Sequence, residues 1–173
     1  CLAYRSEVSS KQYFSAQRGC FMTLSIIVGG AITSFIFCLL VLVSWRFTPE
    51  AWLSDLTEGK IKSPPTWSTY TVFAVILFTI LAGTTITAGW VASVYDASFY
   101  ERLIVAWLVI VILNVVDLVV IDLLIYTWIY PSWMRVDGIE PLHQPWAHVK
   151  AGLVGLVIGV PMAAIAAGLT VFV

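Results

Sequence analysis

Charged residues are scarce in this chain, which has 173 residues and a formal net charge of −1. Asp, Glu, Lys and Arg together make up 11% of it, against about a quarter in a soluble globular domain. No stripe of basic residues is present, which argues against a nucleic-acid partner. The sequence also lacks a nucleophile elbow, a phosphate-binding loop and a dinucleotide fingerprint, so no common enzyme motif identifies a reaction.

Cysteine is rare as well, and the three copies are Cys1, Cys20 and Cys38. An odd number without a C-x-x-C pair gives no disulfide framework. Cys38 lies in an apolar run and Cys20 at the edge of that run, so we expect both to pack as small hydrophobic side chains. For Cys1 two alternatives stay open, a lipid-modified cysteine or the first residue of a fragment. Without an initiator Met or a signal sequence, we expect the second.

Hydrophobic residues make up 60% of the chain, and its mean hydropathy is +0.94. They cluster in four blocks, each long enough to cross the ~30 Å hydrocarbon core of a bilayer as a helix. The lack of period-two alternation favours helices over barrel strands. We therefore predict one all-α domain over residues 1–173, a polytopic membrane protein with a bundle of four transmembrane helices. The predicted spans are about 21–45, 69–95, 103–130 and 149–173, with an interfacial connection at 46–68.

Residues at the predicted helix ends support these boundaries. Ser98 and Glu101 form an S-x-x-E capping box at the start of the third span, and Pro131 ends that span after Tyr130. Aromatic residues that we expect to anchor in the headgroup zone are Trp45, Trp67, Tyr70, Trp90, Tyr95, Tyr100, Trp128, Tyr130 and Trp133. In the first connection, Thr48 as N-cap and the following proline predict a short surface helix over Pro49–Thr57.

The orientation in the membrane is weakly determined by sequence. An even number of spans puts both termini on the same face. Lys11 and Arg18 precede the first span and favour a cytoplasmic N-terminus.

Two acidic residues, Asp117 and Asp122, interrupt the otherwise apolar run from Leu103 to Tyr130. A carboxylate at bilayer depth is costly unless it is paired, hydrated or protonated, so such groups indicate a functional site. On an α-helical wheel, Asp117 lies ~60° to one side of Asn114 and Asp122 lies ~80° to the other. We therefore expect the aspartates to flank a ~140° polar sector, ~7.5 Å apart along the axis, rather than to stack.

The partners of these carboxyl groups are expected to be neutral, because no Lys or Arg occurs deep in any span. Hydroxyl groups of the first two spans that can donate are Ser25, Thr33, Ser34, Thr79, Thr84, Thr85 and Thr87. With neutral donors alone, we expect at least one aspartate to be protonated at neutral pH. A buried polar clasp between helices is the alternative to an ion- or proton-binding role.

Two histidines, His143 and His148, follow the third span and lie on the membrane face where that span ends. Asp122 is about two helical turns inside the same face. A line from His148 through Asp122 to Asp117 is a candidate proton path or metal half-site. The spacing matches no strong metal motif, so we assign no metal and leave the cofactor open. We interpret His143 as a loop residue. The predicted ion- or proton-binding site consists of Asn114, Asp117, Asp122 and His148.

The fourth span carries a small residue at every fourth position, namely Gly155, Gly159, Ala163 and Ala167. Such a stripe lets another backbone approach closely. We expect it to serve packing within the bundle; a homo-oligomer or a partner membrane protein docked on it is the alternative. Pro161 lies within the same span and predicts a kink.

The pattern N-x-x-D-x-x-x-x-D, formed by Asn114, Asp117 and Asp122, is followed by Pro131, a Gly-x-Glu turn at 138–140 and His148. This stretch of 35 residues resembles a group of small four-helix bacterial membrane proteins, in which the final His opens the last span. The segment between the Gly-x-Glu turn and His148 is shorter here than in that group. The resemblance implies a four-helix fold in a bacterial cytoplasmic membrane, and it implies no activity.

Three functions are compatible with these features. The first is proton- or ion-linked transport of a small solute through the carboxylate site. The second is a membrane-embedded enzyme acting on a lipid or quinone near Asp122 and His148. The third is a non-catalytic subunit or assembly factor of a membrane complex.

Overall fold

The chain is described from a computed structural model, and most of the residues that it describes are helical. The backbone is described for residues 2–52, 66–134 and 145–172, and the side chains for 17–49, 51–52, 66–134, 146 and 148–172. These ranges contain no strand and four long helices. We name them α1 (Leu2–Phe47), α2 (Trp67–Tyr95), α3 (Phe99–Ile129) and α4 (Pro145–Leu169).

Each helix is long and apolar enough to cross a membrane, which is the pattern of an integral membrane protein. The membrane-spanning parts are Gln17–Phe47, Trp67–Tyr95, Phe99–Ile129 and His148–Phe172. The predicted all-α bundle of four transmembrane helices is confirmed. The observed bounds differ most from the predicted ones at α1. This helix begins at Leu2 and has 46 residues, a length of about 69 Å. No proline or glycine occurs before Gly19 to interrupt it.

The third helix is the centre of the bundle, because α3 packs against α1, α2 and α4. Its inward-facing residues Val105, Val109 and Ile110 are at most 3% exposed. Toward one end of the bundle the core consists mainly of alanine and valine, and toward the other end it contains the larger side chains Phe37 and Ile121.

The seam between α1 and α2 is built from two reciprocal glycine–threonine contacts. A Cβ on Gly29 would clash with the side chain of Thr87, and a Cβ on Gly83 would clash with the side chain of Thr33. Each threonine hydroxyl donates to the carbonyl of the glycine four residues before it, at 2.8 Å for Thr33 and 2.9 Å for Thr87. The hydroxyl groups are thus satisfied within their own helices, while the hydroxyl oxygen and the methyl group of each threonine together fill the opposite glycine position.

The small-residue stripe of α4 is occupied by contacts within the chain. A Cβ on Gly155 would lie 2.6 Å from Asn114 Oδ1, and a Cβ on Gly159 would lie 2.7 Å from Ile110 Cγ2. The two alanines of the stripe, Ala163 and Ala167, are fully buried. These contacts correspond to the internal packing expected from the sequence. Docking of a partner on the stripe stays a prediction, and it would have to displace them.

At the face where α2 ends and α3 begins, two arginines connect the helices. The Arg18 Nη2–H donates to the Tyr95 carbonyl at 2.7 Å and lies 3.7 Å from Glu101. Arg102 donates to the Ala97 carbonyl at 2.8 Å and to the Thr170 hydroxyl at 3.4 Å. The predicted Ser98–Glu101 capping box is present, with both reciprocal hydrogen bonds.

The opposite face corrects one predicted membrane anchor. Trp45 is 2% exposed, and its indole Nε1–H donates to the Met134 carbonyl at 3.3 Å. Its ring packs against Tyr126 at a centroid distance of 5.2 Å. Met134, five residues after the end of α3, packs against Trp45 at the end of α1. The two residues are 89 positions apart, so no local pattern in the sequence indicates their contact. The other aromatic residues predicted as anchors are half-buried or exposed. Tyr95 is half-buried, and the side chain of Trp67 is 89% exposed.

The two connections on this face are partly described. Pro49–Ala51 forms a 3₁₀ turn, and the rest of the predicted helix Pro49–Thr57 lies mostly outside the described residues. Thr48 does not cap that turn, because its hydroxyl donates to the Ser44 carbonyl at 2.8 Å. The predicted end of the third span is confirmed: the helix stops at Ile129, and Tyr130 has a left-handed φ of 35° before Pro131.

Candidate functional site

The second half of α3 departs from α-helical winding. Phe99–Val116 is α-helical, whereas Asp117–Ile129 forms a π-helix of 13 residues, in which hydrogen bonds run between residues five apart. At its start, the Asp117 N–H is shared between the Asn114 and Leu113 carbonyls. At its end, the Tyr130 N–H donates to Ile125 O at 2.7 Å. The segment is rich in β-branched residues, which crowd the preceding turn of an α-helix, and π-helical turns concentrate at functional sites.

This winding changes the expected separation of the two aspartates. The predicted ~140° sector assumed ~100° per residue throughout the helix, whereas a π-helix turns by fewer degrees per residue. Asp122 therefore lies nearer to the face of Asp117 than an α-helical wheel places it. The Asp122 carbonyl accepts a further hydrogen bond from the Thr127 hydroxyl, five residues on, at 2.8 Å.

A cavity of about 270 Å³ lies between the helices beside these residues. Asn114, Asp117 and Asp122 form its polar side, on α3. Apolar residues from the other three helices complete the lining, with Phe37 from α1 and Ile80 from α2. The α4 side is made largely of small residues, Ala151, Gly152, Gly155 and Gly159, whose missing side chains leave the space. Three of the four predicted site residues thus line one cavity.

The fourth predicted site residue contacts the same group from α4. His148 Nδ1 lies 3.3 Å from Asp122 Oδ1, and the two side chains are 21% and 17% exposed. Asp122 therefore has a titratable partner in addition to any neutral donor, since an imidazole carries a positive charge only when it is protonated. The His148 ring also lies 6.3 Å from the Tyr126 ring, which in turn packs on Trp45. An aromatic cluster of Tyr126 and Trp45 thus lies beside the Asp122–His148 pair.

Asn114 is held at the junction of the α-helical and π-helical parts. Its Nδ2 donates to the Ile110 carbonyl at 3.5 Å, and its Oδ1 projects into the space left by Gly155. A Cβ at this position would come within 2.6 Å of that oxygen, so the glycine leaves the room that the carboxamide occupies. The carboxamide therefore sits between α3 and α4, at the polar side of the cavity.

The hydroxyl groups predicted as partners of the aspartates point elsewhere. Most of them donate to a carbonyl of their own helix, four residues before: Ser25, Thr33, Thr79, Thr84 and Thr87. Within the described residues, the hydroxyl groups of Ser34 and Thr85 have no hydrogen-bond partner in the protein. The seven side chains are accordingly not a donor shell for the carboxyl groups, because helix geometry offers each a nearer acceptor.

The sequence did not predict which apolar residues line the cavity, nor that Tyr126 and Trp45 lie beside its polar side. Phe37 and Ile80 are ordinary apolar residues in their own spans, and only the packing of four helices brings them opposite the aspartates. Among the described residues, no group of three His, Cys, Asp or Glu side chains could hold a metal ion. His143 and the Gly-x-Glu turn at 138–140 lie outside the described residues.

Comparisons with known proteins give no relative: no protein-family model, no curated protein and no solved structure matches this chain. The resemblance to small bacterial four-helix proteins therefore stays a prediction.

Proposed function

We propose that this integral membrane protein moves protons through its bundle and couples them to the passage of a small solute. The observation that carries the proposal is the cavity between the four helices, lined by Asp117 and Asp122 and joined to an imidazole by the 3.3 Å contact of His148 with Asp122. Ionisable side chains at this depth are costly in a bilayer and are found where protons or ions move.

The order of the groups along α3 supports a stepwise path. Asp122 lies closer than Asp117 to the end of the helix at Ile129, and His148 lies near the start of α4 on the same face. His148 is the group through which a proton enters or leaves, because imidazole gains and loses a proton near neutral pH. Asp122 exchanges that proton with His148, and Asp117 lies one π-helical turn deeper.

The pairing of acid and base keeps the local charge low during such a transfer. A proton on His148 faces an ionised Asp122 as an ion pair, and a proton on Asp122 faces a neutral imidazole. Both states are net neutral, so neither places an uncompensated charge in a medium of low dielectric constant. An isolated carboxylate at the same depth lacks this compensation.

Proton flux into liposomes tests the proposal directly. The purified protein is reconstituted around a trapped pH-sensitive dye, and a potassium diffusion potential drives protons inward. Asp117→Asn and Asp122→Asn are each expected to lower the flux by about tenfold or more, since a proton-transferring side chain contributes at least that much to a rate. Asp96→Asn is the matched control, because Asp96 is exposed and its φ of 49° is well tolerated by Asn.

Two results would contradict the proposal. One is a wild-type flux no greater than that of empty liposomes under every applied gradient. The other is an unchanged flux in both cavity variants while Asp96→Asn behaves as wild type.

A further inference from the structure

We infer that the solute taken up by the cavity is a small monovalent organic cation of the ammonium type, an inference that rests on the proposed function and names its substrate class. The inference concerns the cavity as a whole: its charge, its size and the chemistry of its wall.

The charge of the cavity selects against anions. Two aspartates line it, and none of the described residues that line it is Lys or Arg. A bound anion would bring a third acidic group beside Asp117 and Asp122 in a medium where like charges repel strongly. A cation is instead attracted to Asp117 and Asp122 whenever either carboxyl group is ionised.

The size of the cavity requires something larger than a bare ion. A volume of about 270 Å³ corresponds to roughly nine water molecules. Binding pockets for drug-sized ligands begin at about 300 Å³, so the cavity suits a ligand at the small end of that range. A calcium ion would need 6–8 oxygen ligands, and within the described lining only three side chains carry an oxygen.

The wall of the cavity favours an ion with an apolar body. Apart from Asn114 and the two aspartates, the lining consists of apolar residues and glycine, including the aromatic ring of Phe37 and the thioether of Met162. A sugar or another strongly hydrated solute would lose hydrogen bonds against that wall. Alkyl groups on a cationic nitrogen gain contact with it, and an aromatic face attracts a quaternary ammonium group.

Binding of choline tests the inference, with its uncharged carbon isostere dimethylbutanol as the shape-matched control. Calorimetric titration of the purified protein in detergent measures both. We expect choline to bind, to bind more weakly as the pH falls, and to lose at least about tenfold in affinity in Asp117→Asn. Dimethylbutanol is expected to show no saturable binding. The pH effect follows because protons compete with the cation for the same carboxyl groups, and because a proton on His148 beside Asp122 repels the cation.

A second variant tests the cavity without altering charge. A Cβ added at Gly152 would lie 3.8 Å from its nearest described neighbour, Leu118 Cδ2, which is an ordinary contact distance. Because Gly152 lines the cavity, a side chain at this position takes up cavity space. Gly152→Val is expected to abolish choline binding while the protein keeps its thermal stability. Gly168→Val is the control on the same helix, since nothing lies within 4 Å of its added Cβ.

Several outcomes overturn the inference: equal binding of dimethylbutanol, undiminished choline binding in Gly152→Val, or no choline binding at any pH. If choline fails to bind while proton flux still depends on Asp117 and Asp122, the substrate class alone is wrong. If the flux is also independent of both carboxyl groups, the proposed function is wrong as well.

Discussion

The Asn114 carboxamide oxygen occupies the space that a side chain on Gly155 would need, and a Cβ there would lie 2.6 Å from it. The contact joins α3 to α4 at the point where α3 changes from α-helical to π-helical winding. It therefore fixes the position of Asn114 at the polar side of the cavity. The same contact makes Gly155 a residue of the site, although glycine carries no functional group.

Gly155→Ala should displace Asn114 and disturb the site. Overpacking costs about 1–3 kcal/mol, and the better helix propensity of alanine returns about 1 kcal/mol of that. We expect a net loss of roughly 1 kcal/mol in unfolding free energy together with a reduced proton flux. Thermal unfolding in detergent and the liposome assay measure the two effects. Gly168→Ala has no neighbour within 4 Å of its Cβ, and it should leave both values at or above those of the wild type.

The seam between α1 and α2 predicts a purely structural defect. Gly29→Ala and Gly83→Ala would each force a methyl group against a threonine of the opposite helix, so we expect each to lower stability by about 1–3 kcal/mol. Gly19→Ala is the control, because its added Cβ meets nothing within 4 Å. Equal melting temperatures for the three variants would contradict the close glycine–threonine contacts between α1 and α2.

Changing His148 should alter the pH dependence of proton flux. His148→Gln keeps a polar side chain near Asp122 but removes the imidazole, which can take up and release a proton. The wild-type flux is expected to depend on pH through this group, and the variant should lose that part of the dependence and about tenfold of its rate. Flux measured from pH 5 to pH 8 gives both quantities. A variant profile that superimposes on the wild type would exclude His148 from the path.

Trp45 should matter to stability more than the tryptophans at the bundle surface. Trp45→Phe leaves the Met134 carbonyl without the indole donor in a site that is 2% exposed, at a cost of about 1–3 kcal/mol. Trp128→Phe, at a position that is 81% exposed, is expected to change stability by less than about 0.5 kcal/mol. Thermal unfolding of both variants in the same detergent separates them. Equal effects would mean that the Trp45 contact contributes little.

Much of the fold follows from the sequence because the controlling signals are local. The apolar runs set the four spans to within a few residues, and the Ser98–Glu101 capping box marks the start of α3. The site is different. Its acidic residues were visible as charges in an apolar run, but their mutual position depended on the winding of the helix that carries them. A wheel drawn for an α-helix put Asp117 and Asp122 ~140° apart, and the π-helix brings them closer together around the axis.

The sequence by itself determined that this protein has four membrane-length helices and that Asn114, Asp117 and Asp122 lie on one of them, because hydrophobic length and residue identity are properties of the chain alone. Only the tertiary structure decided what faces them. The approach of His148 from α4, the burial of Trp45 under Met134 and the Phe37 wall of the cavity depend on how helices distant in sequence pack together. That packing is set by the fit of side chains from different helices at their contacts, and the sequence of a single span does not show this fit.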